Sequence, residues 1–130
     1  MVRVPTDGVK LTLGADSDLQ VYHVGSTNYL RANTSDQDLH FLVNDGGSTL
    51  TAMKIDSSEV ARVQFQNDNQ VVAIGASDDL QFYHDGLHSY IDQVGTGNLY
   101  IRNTVDDKHI DIQTDDGSGG VTTYMRFNGD

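Results

Sequence analysis

The sequence predicts an all-β chain: repetitive short strands and turns that form a fibre-like β-solenoid or an intertwined trimeric β-structure. Three observations carry the all-β, repeat-built part of this reading. The acidic residues are nearly all aspartate, apolar residues alternate with period 2 between turn clusters, and one block of the chain returns 61 residues later.

Of the 19 acidic residues, 18 are Asp and one is Glu59. Aspartate suits turns and disfavours helix interiors, because its short side chain competes for backbone hydrogen bonds. Alanine occurs six times and lysine three times, so strong helix formers are scarce. The 13 glycines sit among Asp, Asn, Ser and Thr, the composition of many strands joined by many turns. No convincing helix emerges; Ser57 to Val63 offers at most one turn, weakened by Val60 and Val63.

The alternation names the strands. Val9, Leu11 and Leu13 share a face, with Lys10 and Thr12 opposite. Leu39, Phe41 and Val43 do the same, as do Leu99 with Ile101 and Ile110 with Ile112. In the last segment Val121, Thr123, Met125 and Phe127 are expected on one face. Turn signals at Asp45-Gly46-Gly47, Asp85-Gly86, Gly95-Thr96-Gly97, Asp116-Gly117 and Asn128-Gly129 separate these segments.

The repeat sets the organisation. Leu13 to Leu30 returns as Ile74 to Ile91 with 9 of 18 positions identical and no gap. Further on, Leu39 to Gly47 resembles Ile110 to Ser118, and Met53 to Asp56 resembles Met125 to Asn128, at offsets of 71 and 72. The second copy therefore carries about one extra short strand, and Asn98 to Arg102 is the candidate. We read residues 1–65 as one β-repeat unit and 66–130 as a second, with the extra strand near 98–102. Insertions of strand length favour serial stacking over a closed sandwich. The chain opens in mid-repeat and closes on a turn, as expected of a segment of a longer fibre.

Composition also excludes partners. A formal net charge of -11 without a basic patch argues against nucleic acid and anionic membranes. No run of about 18 apolar residues occurs, so membrane insertion by a helix is not expected, and Met1 to Asp7 lacks a signal-peptide layout. Cysteine is absent, which removes disulfides and thiolate metal sites.

Gly75 to Gly86, then Ser89 to Ile91, then Gly95 to Arg102 (Gly-Ala-Ser-Asp-Asp-Leu-Gln-Phe-Tyr-His-Asp-Gly, Ser-Tyr-Ile, Gly-Thr-Gly-Asn-Leu-Tyr-Ile-Arg) resembles a repeat of structural proteins of marine phages, cyanophage tail-fibre proteins especially. The likeness is good over residues 13–30 and faint over 31–65. The first copy departs from it, with Val24 where the second has Asp85, so an identical turn in both copies is in question. The resemblance implies an elongated virion appendage, usually a homotrimer, that works beside other virion proteins. It also implies contact with a host-surface glycan or protein receptor.

Candidate sites are few. His23 and His84 recur in Tyr-His pairs, and on a trimer axis they would present imidazoles to a metal or an anion. One His per repeat lacks multi-ligand spacing, so the preferred reading makes each the end of a strand entering a turn. The pairs Asp16 with Asp18, Asp78 with Asp79, Asp106 with Asp107 and Asp115 with Asp116 raise calcium as a cofactor. No EF-hand or β-roll spacing accompanies them, and turn aspartates need no metal. Tyr100 and Tyr124 are candidate ligand platforms for sugar rings, whereas Tyr22, Tyr29, Tyr83 and Tyr90 recur at equivalent positions, as cross-strand packing would give. No nucleophile elbow, phosphate loop or zinc-protease motif occurs, so catalysis is not expected. The expected role is a structural fibre module of a phage appendage that presents a receptor-binding surface. The alternative is a monomeric β-sandwich or β-solenoid acting as a carbohydrate-binding or adhesin module.

Overall fold

The computed structural model describes residues 5–129, and among these the chain is all-β with no helix. The strands are β1 (Lys10–Leu13), β2 (Leu19–Val24), β3 (Thr27–Ala32), β4 (Leu39–Asp45), β5 (Ser48–Asp56), β6 (Arg62–Gln64), β7 (Val72–Ile74), β8 (Leu80–His84), β9 (Ser89–Gln93), β10 (Ile110–Asp115) and β11 (Val121–Phe127). They form small antiparallel sheets in sequence order: β1-β2-β3, β4-β5-β6, β7-β8-β9 and the two-stranded β10-β11. Two compact units result, Met1–Ala73 with Gln81–Ile91, and Ile74–Leu80 with Asp92–Asp130.

Register converts the alternation into faces. In the first sheet Val21 lies opposite Leu11 and Leu30, and Leu19 opposite Leu13 and Ala32. Residues in register share a face, so these make one apolar side. Tyr22, opposite Lys10 and Tyr29, lies on the other. In β4-β5 the pairs Leu39–Ile55, Phe41–Met53 and Val43–Leu50 form the apolar face.

A bulge between Phe41 and Leu42 makes Ala52 an extra residue on β5. The same device recurs 71 residues on: the register shifts between Ile112 and Gln113, and Tyr124 is the extra residue of β11. This corrects one expected face. A bulge slips the alternation by one residue, so Met125 pairs with Ile112 and Phe127 with Ile110, whereas Thr123 pairs with Gln113 and Val121 with Asp115. Val121 and Thr123 therefore stand opposite to Met125 and Phe127.

The extra strand is the second correction. Residues 98–102 belong to no sheet, and no backbone hydrogen bond within the described chain reaches them. Alternation specifies the shape of a strand but supplies no neighbour for its ladder. Near residue 57 no helix forms, as expected; residues 57–60 make a turn, and Val60 and Ala61 take left-handed φ of 57° and 56°.

No apolar side chain among the described residues is buried; only Gln20 and Asp56 are. The accessible surface is 10253 Å². A compact monomer of 14.2 kDa exposes about 6,800 Å², so the excess is roughly 3,500 Å².

Candidate functional site

The repeat builds one cleft twice, both times within the first unit. A cavity of about 560 Å³ is lined by Asp7, Tyr22, His23, Asn28 and Tyr29 among others. One of about 440 Å³ is lined by Asp68, Tyr83, His84, Ser89 and Tyr90, each 61 residues later. Tyr22 stacks on Tyr29 with ring centroids 4.7 Å apart and planes 13° apart. Tyr83 stacks on Tyr90 at 4.7 Å and 15°. These four tyrosines are thus cross-strand pairs, with Lys10 over the Tyr22 ring at 4.9 Å.

Both histidines stand at or beside the end of a strand. His23 Nδ1 lies 2.9 Å from Asn28 Oδ1, and His84 Nδ1 lies 3.1 Å from Ser89 Oγ. The Asn28 hydrogen bond, the Gly25 backbone and the Asp7 carboxylate at 3.9 Å raise the pKa of His23 above 6.5. Each histidine carbonyl accepts from a preceding loop: Gly8 N donates to His23 at 2.8 Å and Asn69 N to His84 at 2.7 Å. The sequence reading stopped at Leu13 and Ile74 and missed this loop. The shared Asp7 and Asp68, also 61 apart, were the available signal.

The hairpin turns of the two copies do differ. Asp85 Oδ1 accepts from the amides of Leu87 and His88 at 2.8 and 2.7 Å, and Tyr90 donates its hydroxyl proton to Oδ2 at 2.9 Å. These donors hold the Asp85 carboxyl below its ordinary pKa. Both hairpins turn through two residues, with Asp85 N donating to the His88 carbonyl at 3.0 Å and Val24 pairing with Thr27, but the first copy has no carboxylate at Val24 to cap the turn.

Four of the aspartates raised as cation ligands, Asp18, Asp79, Asp115 and Asp116, accept hydrogen bonds from turn or loop residues. Asp18 accepts from the Thr34 hydroxyl, and Asp79 Oδ1 from Thr96 N at 3.0 Å. Asp116 Oδ1 accepts from Ser118 N and Gly120 N, and Asp115 from Gly117 N. Among the described residues no three of His, Asp and Glu converge to hold a metal ion.

Tyr100 and Tyr124 are both in the second unit and both exposed. Arg102 lies over the Tyr100 ring at 5.8 Å. The apolar cavity of this unit, about 460 Å³, is lined by Leu99, Ile101, Ile110, Ile112 and Phe127, and by neither tyrosine.

An ion-pair cluster at the end of β5 was not anticipated. Lys54 Nζ lies 2.8 Å from Asp38 and 2.9 Å from Asp56, and Arg62 adds a contact to Asp56 at 3.7 Å. The Lys54 ammonium, with the Ser58 hydroxyl, draws the Asp56 carboxyl from 3.8 down to about 2. The folded value lies below the unfolded one, so this stabilisation is complete above about pH 3.8 and is lost as pH falls through about 2. Asp38 is lowered in the same sense by Lys54 and the Ser57 amide. His23 has the opposite sign: its contribution is complete below 6.5 and fades as pH rises through its raised value. Calorimetric melts are therefore expected to hold steady from about pH 6.5 down to pH 5 and decline below about pH 4, and Lys54→Met should remove part of that decline. An acid limb identical in Lys54→Met and the unaltered chain would rule this account out.

Comparison with family models, with curated proteins and with solved structures found no match for this chain.

Proposed function

We propose that this chain is a structural module of a homotrimeric fibre, a segment of a phage virion appendage that spans distance and presents a surface to the host. One observation carries the need for partners: sheets with well-separated apolar faces, yet no buried apolar residue among the described residues. Burying apolar area is the dominant favourable term in folding. A chain that leaves Leu11, Leu30, Ile74 and Ile112 about half exposed has not completed that burial alone. The excess of roughly 3,500 Å² falls in the range of obligate assemblies. A monomeric sandwich would close two sheets on a common core, and that core is missing among the described residues.

The number three and the phage setting rest on the resemblance of residues 13–30 and 74–102 to tail-fibre repeats. In this reading the module performs no catalysis. The Asp-rich skin keeps the fibre soluble and discourages edge-to-edge aggregation. Light scattering tests the proposal. The expected mass is three times 14.2 kDa. A stable, cooperatively folding monomer would remove the reading.

A further inference from the structure

Residues 98–102 are strand-shaped but unpaired. Asn98 Nδ2 reaches the Tyr100 hydroxyl at 3.5 Å, and Arg102 covers the Tyr100 ring at 5.8 Å. Contacts between residues two apart require an extended backbone. The alternate pair, Leu99 and Ile101, lines the apolar cavity with Ile110, Ile112 and Phe127. The segment therefore has a polar side and an apolar side, as a half-buried strand does.

Formed turns frame it at both ends. Before it, Val94 N and Thr96 N donate to the Asp79 carbonyl and carboxylate at 2.8 and 3.0 Å. After it, Lys108 N donates to the Val105 carbonyl at 3.3 Å, Asn103 Nδ2 to the His109 carbonyl at 3.1 Å, and Asp107 takes a φ of 57°. The segment between is held extended with its backbone donors and acceptors unused within the described chain. The adjoining sheet, β10-β11, has two strands where its counterpart β4-β5-β6 has three, so both of its outer edges are open within the chain.

We infer that residues 98–102 complete a ladder with a neighbouring copy of this chain, pairing with an open edge of that copy's β10-β11 sheet. The inference rests on the homotrimer proposed above and adds its interlock: each copy lends a strand to the next. Main-chain pairing of an extended segment with an exposed edge is an established mode of association. Symmetry narrows the partner edge. Antiparallel self-pairing of 98–102 would be isologous and would close a dimer, whereas threefold closure needs the segment to meet a different edge. The exposed apolar faces, with a total accessible surface roughly 3,500 Å² above that of a compact monomer, favour a copy of the chain over a small peptide as the occupant.

Residue-resolved hydrogen exchange on the assembled, full-length chain tests this. An edge strand turns alternate amides toward its neighbour. Within residues 98–102, alternate amides should exchange about a hundredfold or more slower than in an unstructured peptide, the rest remaining fast. Ile101→Pro, which cannot extend a ladder through residue 101, should lower the assembled mass or its resistance to dissociation. Tyr100→Ala, which keeps every amide, should leave mass and protection unchanged. A trimeric mass with unprotected amides at 98–102 overturns the strand exchange and leaves the homotrimer standing. A monomeric mass overturns both. An Ile101→Pro chain that assembles and melts like the unaltered chain also overturns the inference, and the exchange measurement decides the case if that variant fails to fold.

Discussion

Phe41→Asp is expected to abolish assembly of the chain, with Leu42→Asp leaving it intact. Phe41 shares its face with Leu39, Val43, Leu50, Met53 and Ile55. Leu42 pairs with Thr51 on the opposite face and is 58% exposed. In the proposed fibre the first face lies against neighbouring copies. An aspartate there is an unpaired charge in an apolar interface, which costs about 3–5 kcal/mol, and the symmetry of a homotrimer repeats it in every chain. On the solvated face a carboxylate replaces a leucine that contributes little. Light scattering of the two variants, one residue apart, reads the difference. If both keep the parent mass, the face carrying Phe41 is not the assembly surface.

Gly14→Val and Gly75→Val are the second pair with a large expected effect, and the two should behave alike. Gly14 has φ of 90° and Gly75 of 103°, in the left-handed region where a β-branched residue is strained by about 1–3 kcal/mol. A side chain there also meets the carboxylate of Asp18 or Asp79, 61 residues apart like the glycines. Displacing Asp79 releases Thr96 N, and displacing Asp18 releases the Thr34 hydroxyl. Each substitution should lower the thermal midpoint by roughly 5–10 °C. Unequal losses would mean that the two copies do not share the mechanism of their turns.

Much of this was legible beforehand. Period-2 alternation placed β1, β4 and β10, because a half-buried strand needs no information beyond its own residues. The 61-residue echo anticipated two sheets with the same stacked tyrosine pair. The step in the offset from 71 to 72 was visible, and the hairpin loops account for it. Asp45 and Ser48 enclose two residues, whereas Asp116 and Gly120 enclose three.

The bulges were not legible. An extra Ala52 or Tyr124 alters the register without altering composition, so Val121 and Thr123 were assigned to the wrong side. The pairing of residues 98–102 was also beyond the sequence, because a ladder depends on which edge is near. Lys54 escaped notice for a related reason. Its partners Asp38 and Asp56 are brought together only when the turn before β4 folds against the end of β5.

The turns at Ser17, Asp78 and Asp107, with φ of 59°, 55° and 57°, each contain a backbone hydrogen bond to a residue three positions back: Ser17 N to Gly14, Asp78 N to Gly75 and Lys108 N to Val105. An addition placed beyond the partners of such a corner, past Thr34 in the first copy or Thr96 in the second, leaves these bonds in place. The stretch that separates the offsets 61 and 71 is one such addition, already accommodated. In the proposed fibre, length is then a quantity that can drift by whole strands, as a ladder is lengthened without redesigning its joints. Reach, more than surface chemistry, would then be the property of the proposed fibre that duplication changes most freely.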